Sequence, residues 1–104
     1  MYRLIAIDLD GTLLNSNGTI STETREILRQ IINKNINIVL ASGRMIDSIR
    51  SVAEEIGKQK YLIAGNGSIV YDIEKNEILY KNFLSKEKVL DVIKVCEENS
   101  IFYN

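Results

Sequence analysis

The sequence contains no histidine, no proline and a single cysteine, Cys96. With no imidazole and one thiol, the carboxylates are left as the best candidates for catalysis. A lone cysteine cannot close an internal disulfide, which fits a reducing compartment and an expected cytoplasmic location. No apolar stretch approaches the ~20 residues that cross a bilayer, and no basic region followed by a long apolar one marks a secretory signal. The chain also lacks repeats, low-complexity tracts and an obvious flexible linker. Its formal net charge of −1 gives no support for nucleic acid or an anionic membrane as a partner.

What is there is ordinary in bulk and specific in detail. At 104 residues, 45% apolar and 26% charged, the chain is one small domain or part of a larger one. Leu4 to Asp8 predicts a buried strand, apolar on both faces. Gly11 to Ser21 predicts a polar loop, and Ser21 or Thr22 caps a helix to about Asn33 with Ile27, Leu28, Ile31 and Ile32 facing inward. A second strand ends at Ala41, and a second helix starts near Met45 and stops at Gly57. Tyr61 to Ala64 predicts a third strand. A hairpin around Glu74, Lys75 and Asn76 follows, then a helix capped by Ser85, then a last strand from Ile101 to Tyr103.

Strand and helix alternation over the first three strands predicts an α/β fold, a Rossmann-like parallel sheet with right-handed crossovers, carrying a β-hairpin. Ligands of such sheets sit beyond the carboxyl ends of the strands. Those ends here are Asp8, Ala41–Ser42 and Ala64–Gly65–Asn66, so three polar clusters are expected to converge.

Each cluster has a chemistry. Asp8 can attack phosphorus as a carboxylate nucleophile. Mg²⁺ would offset the repulsion between that carboxylate and a phosphate dianion. Asp10 is within reach of the same phosphate, as acid for the leaving alkoxide and then base for water. Gly11 lets the chain turn, and Thr12 either bonds within the loop or holds the phosphate. Ser42 offers a hydroxyl, or caps the second helix; Gly43 and Arg44 offer backbone N–H groups, and Arg44 a positive charge. Asn66 and Gly67 are first a turn and can also line the substrate side. Cys96 reads as inert core, and Tyr71, Tyr80, Phe102 and Tyr103 as packing residues.

Asp8-Leu9-Asp10-Gly11-Thr12 resembles the first motif of the haloacid dehalogenase superfamily, and Ala41-Ser42-Gly43-Arg44 its second. The segment from Ala64 to Asp72 resembles one typical of the Cof-type (IIB) phosphatase branch. The resemblance implies a Mg²⁺-dependent phosphohydrolase acting on a small phosphorylated metabolite, a sugar phosphate or a nucleotide, through an aspartyl phosphate. It implies Asp8 as nucleophile and Mg²⁺ ligand, and Asp10 as acid–base group with its carbonyl on Mg²⁺. It implies Ser42 on the phosphoryl group, with Leu9, Gly11, Thr12, Gly43, Arg44 and Asn66 as phosphate or substrate neighbours.

The superfamily's third-motif lysine and fourth-motif aspartates have no counterpart in these residues. The chain is therefore expected to match the N-terminal portion of a larger phosphatase: residues 1–83 as core and 84–104 as the beginning of a truncated cap domain. Alone it is expected to be inactive or very slow. The alternative from another class is a non-catalytic fragment that folds or oligomerises and binds Mg²⁺ or phosphate weakly. Without a strand from the absent part, the Leu4–Asp8 edge is open, and an exposed apolar edge invites a homo-oligomer.

Overall fold

The computed structural model describes residues 2–57 and 59–103. Five strands run in chain order across one sheet: β1 (Leu4–Asp8), β2 (Asn37–Ala41), β3 (Tyr61–Ala64), β4 (Ile69–Asp72) and β5 (Glu77–Lys81). β1, β2 and β3 are parallel, while β4 and β5 add antiparallel. The sheet is thus mixed. The parallel part is the expected Rossmann-like half, and the turn from Ile73 to Asn76 closes the expected hairpin.

Two crossover helices connect the parallel strands: α1 (Thr22–Asn33) and α2 (Ile46–Ile56). They lie side by side, joined by Arg25 to Glu55 at 2.8 Å and by Arg29 to the carbonyls of Glu55 and Ile56. Ser21 caps α1, its hydroxyl accepting from the Thr24 N–H at 3.1 Å. Leu28 of α1 and Ile49, Val52, Ala53 and Ile56 of α2 pack against Ile38, Leu40 and Leu62 of the sheet. Ile27, expected to face inward, is 57% exposed because it lies outside the arc that meets the sheet.

Three expectations are corrected. The segment from Gly11 to Ser21 is not simply polar, since Leu13, Leu14 and Ile20 anchor it in the core. β1 is not buried: its residues alternate between exposed and half-buried, with Leu4 51% exposed, because only β2 pairs with it among the described residues. Ile101 to Tyr103 forms no strand, since no strand among the described residues pairs with it.

The third helix, α3 (Lys86–Glu98), is capped by Ser85 as expected, but none of its residues is buried. Val89, Leu90, Val92 and Val95 are exposed, and Tyr80 and Phe102, expected to pack, are 50% and 87% exposed. Cys96 is half-buried and free, outside the main core. The extended shape agrees: the radius of gyration is 16.7 Å, against about 13 Å for a compact chain of this length. No helix is long and apolar enough to cross a membrane among the described residues.

Candidate active site

The register aligns the strand ends that carry the motifs. Asp8 pairs with Ala41, and Ala41 with Ile63. The Ser42 N–H then donates to the Ile63 carbonyl at 3.0 Å, extending the ladder one step past β2. Asp8, Ser42, Gly43, Asn66 and Gly67 consequently line one cavity of about 190 Å³, together with Ala41 and Ile63. A larger hollow of about 350 Å³ at the other end of β2, lined by Asn35, Asn37, Gln59, Lys60 and three isoleucines, has no carboxylate.

The first motif is a tight turn on a buried anchor. Leu9 is fully buried, so only its backbone is free to serve a ligand. Its carbonyl accepts from the N–H groups of Thr12 and Leu14, at 3.3 and 2.9 Å, which coils the chain back immediately after β1. Gly11 makes that coil with φ +78°, a conformation that a side chain disfavours. The coil leaves the Asp8 carboxylate exposed, accepting from the Thr12 hydroxyl at 3.3 Å. Of the two roles open to Thr12, bonding within the loop is the one the geometry displays.

The second and third loops are tied to each other. The Ser42 carbonyl accepts from the Asn66 N–H at 3.1 Å, and the Arg44 carbonyl from the Gly65 N–H at 3.0 Å. The buried Ser42 hydroxyl accepts from the Arg44 N–H at 3.2 Å and keeps its own proton for donation. That bond occupies the Arg44 N–H that was expected to point at an anion. Nor does Ser42 cap α2. Met45 holds that position without a side-chain bond, because three loop residues separate Ser42 from the helix. Asn66 sits in the left-handed region at φ +55°, which asparagine tolerates better than most residues.

One contact has no signature in either motif. Arg44 forks onto Asp10: its Nε donates to Oδ2 at 2.9 Å and its Nη2 to Oδ1 at 2.6 Å. Both Asp10 oxygens accept in this arrangement, the bidentate fork typical of an arginine on a carboxyl group. The Asp10 carboxylate raises Arg44 above its ordinary value, so the guanidinium remains charged.

The donor set suits Mg²⁺ in part. The Asp8 carboxylate and the Asp10 backbone carbonyl are hard oxygens, and Mg²⁺ takes few protein ligands while keeping several waters. No group of three or more acidic, histidine or cysteine side chains that could hold a metal occurs among the described residues.

Comparison with known proteins agrees with this architecture. The profile of the haloacid dehalogenase-like hydrolases matches residues 5–104. The phosphatase YwpJ of Bacillus subtilis is 34% identical over 101 residues, which are 97% of this chain and 35% of that protein. The 5-amino-6-(5-phospho-D-ribitylamino)uracil phosphatase YcsE of Bacillus subtilis is 40% identical over 74 residues, 71% of this chain and 30% of that one. The crystal structure of a haloacid dehalogenase-like hydrolase from Bacteroides thetaiotaomicron superposes with a TM-score of 0.82 at 36% identity, covering 96% of this chain and 39% of that one.

The chain belongs to the haloacid dehalogenase-like hydrolases. Within them it corresponds to the N-terminal portion. It spans about a third of the length of the curated relatives it matches.

Proposed function

We propose that this chain carries the nucleophile half of a Mg²⁺-dependent phosphohydrolase acting on small phosphate monoesters. The observation that carries the reading is the single cavity lined by Asp8, Ser42 and Asn66 from three separate strand ends. The Asp8 carboxylate attacks phosphorus, and the bond from phosphorus to the ester oxygen breaks. Asp10, entering this step as the protonated acid, gives its proton to the leaving alkoxide and becomes the carboxylate. Asp10 then takes a proton from water as the water oxygen attacks the aspartyl phosphate, which releases inorganic phosphate and restores Asp8. Ser42 donates its free hydroxyl proton to a phosphoryl oxygen, and the backbone N–H groups of Leu9 and Gly43 serve the same anion. Gly11 and Thr12 shape the loop, Arg44 grips the Asp10 carboxyl group, and Asn66 lines the substrate side.

The Asp8 carboxylate and the Asp10 carbonyl would hold Mg²⁺, which would neutralise charge between nucleophile and phosphate. The substrate class is a small phosphorylated metabolite such as a sugar phosphate or nucleotide, in keeping with the phosphorylated ribityl compound in the name of one relative. We divide the chain into a core over residues 1–83 and the beginning of a cap over 84–104, of which position 104, like 1 and 58, lies outside the described residues. The absence of buried residues in α3 supports that division.

A second reading has its own support. With two motif carboxylates and no larger acidic group among the described residues, the 104 residues supply only part of a metal site. On this reading the isolated chain is a non-catalytic piece that folds, self-associates through β1 and binds Mg²⁺ or phosphate weakly. Hydrolysis of an aryl phosphate by the chain, with and without Mg²⁺ and beside Asp8→Asn, separates the two. Turnover lost in Asp8→Asn assigns the chain itself an activity; none from folded protein leaves the binding role.

A further inference from the structure

Arg44 lies on the loop after β2, and its charge is free in principle to meet either a phosphate or a protein group. The geometry spends it on a protein group. The planar edge formed by Nε and Nη2 faces both oxygens of Asp10, and Nη1 lies 3.5 Å from the Ser48 hydroxyl. Neither Arg44 nor Asp10 lines the cavity beside Asp8. The Arg44 backbone is itself held from two sides, by the Ser42 hydroxyl at its N–H and by the Gly65 N–H at its carbonyl.

We propose that Arg44 is the positioning residue of Asp10: its fork fixes the carboxylate beside the anion cavity, and the loop after β3 fixes Arg44. The inference rests on reading Asp10 as the acid–base group of a phosphohydrolase, the fork serving the carboxylate that takes the proton from water.

The physical need is plain. The Asp10 side chain is 57% exposed on a turn, where a short carboxylate is otherwise free to exchange among three staggered χ1 wells. Two parallel N–H···O bonds from a rigid guanidinium select one well, and an ammonium cannot reproduce the fork. The pair is solvent-exposed, so its contribution is orientation more than stability. Gly65 connects this device to the third loop: its N–H holds the Arg44 carbonyl, and the next residue, Asn66, lines the cavity. A ligand that moves Asn66 therefore also moves the support of Arg44.

The test uses the 104-residue chain in solution. Three-bond couplings to the Asp10 β-protons read its χ1 directly. The proposal expects one rotamer in the natural sequence and averaging over several in both Arg44→Ala and Arg44→Lys. It also expects inorganic phosphate, titrated with Mg²⁺ present, to bind Arg44→Ala within about twofold of the natural chain. An Asp10 that keeps a single rotamer in Arg44→Ala overturns it. So does a loss of phosphate affinity of about tenfold or more, the mark of a direct guanidinium–phosphate bond. If phosphate shifts neither Asp8 nor Ser42 resonances, the phosphohydrolase reading fails, and the couplings still decide the role of Arg44.

Discussion

The side chain of Asn66 occupies the space that a Cβ on Gly43 would need: an ideal Cβ there lies 2.8 Å from Asn66 Oδ1. Two loops that start from different strands are thereby packed against each other at the cavity. Gly43→Ala should push the Asn66 amide aside. Both residues are exposed, so the fold should tolerate the shift at a cost of about 1 kcal/mol. Phosphate affinity, measured by calorimetry with Mg²⁺ present, should fall about tenfold as Asn66 and the Gly43 N–H lose their places.

Gly65 should behave differently. It sits at φ +55°, and a Cβ would collide with the Ser68 hydroxyl. Gly65→Ala therefore carries both backbone strain and a clash, and should lower the free energy of unfolding by about 1–2 kcal/mol in urea titration. A neutral Gly65→Ala would mean that the loop relaxes freely, and that the bond from its N–H to Arg44 is not a fixed support.

Leu9 separates the two motif aspartates and is fully buried. Leu9→Ala should cost about 3 kcal/mol, the usual range for a leucine that leaves a cavity. Because Leu9 anchors the turn that presents Asp8, phosphate binding should weaken with it. In Ile49→Ala, an equally buried site on α2 away from the turn, stability should fall while phosphate affinity per folded molecule stays unchanged.

Ser21 supports the start of α1, and Ser21→Ala should destabilise by about 1 kcal/mol. The backbone N–H of Glu23 and the Ser21 hydroxyl hold the Glu23 carboxyl below its ordinary value. A carboxyl lowered on folding adds stability above its unfolded value and loses it as pH falls through the folded one. Urea titrations from neutral to acid pH should therefore show a smaller acid-induced loss in Ser21→Ala than in the natural chain.

The open side of β1 should promote self-association. Leu4 is 51% exposed, and only β2 pairs with this strand among the described residues. Light scattering at micromolar concentration should show dimers or larger species, and Leu4→Lys should reduce them. A monodisperse monomer of the natural chain would contradict the edge as an association surface.

The elements were legible wherever local chemistry decides them. The Ser21 and Ser85 caps, the stop at Gly57 and the apolar strand cores lie within one or two residues of their expected positions. The meeting of Asp8, Ser42 and Asn66 was legible too, because parallel topology alone brings strand ends together. Contacts that depend on loop geometry were not. Arg44 and Asp10 are 34 positions apart, and nothing in either motif states which way the guanidinium turns. Leu13, Leu14 and Ile20 lack the spacing of a strand or helix, so their role as loop anchors was hidden in a stretch rich in turn formers. Ile101 to Tyr103 misled for the opposite reason. Its residues suit a strand, and a strand needs a neighbour that this part of the chain does not provide.

The Asp8 carboxylate is the group proposed to meet phosphorus. Beryllofluoride, a phosphoryl mimic that coordinates a carboxylate oxygen, tests this without requiring turnover. Fluorine NMR of the chain with Mg²⁺ and beryllofluoride should show a bound signal that disappears in Asp8→Asn and survives in Asp72→Asn, an aspartate on β4 outside the cavity. A folded natural chain with no bound signal, or a signal that persists in Asp8→Asn, would contradict it.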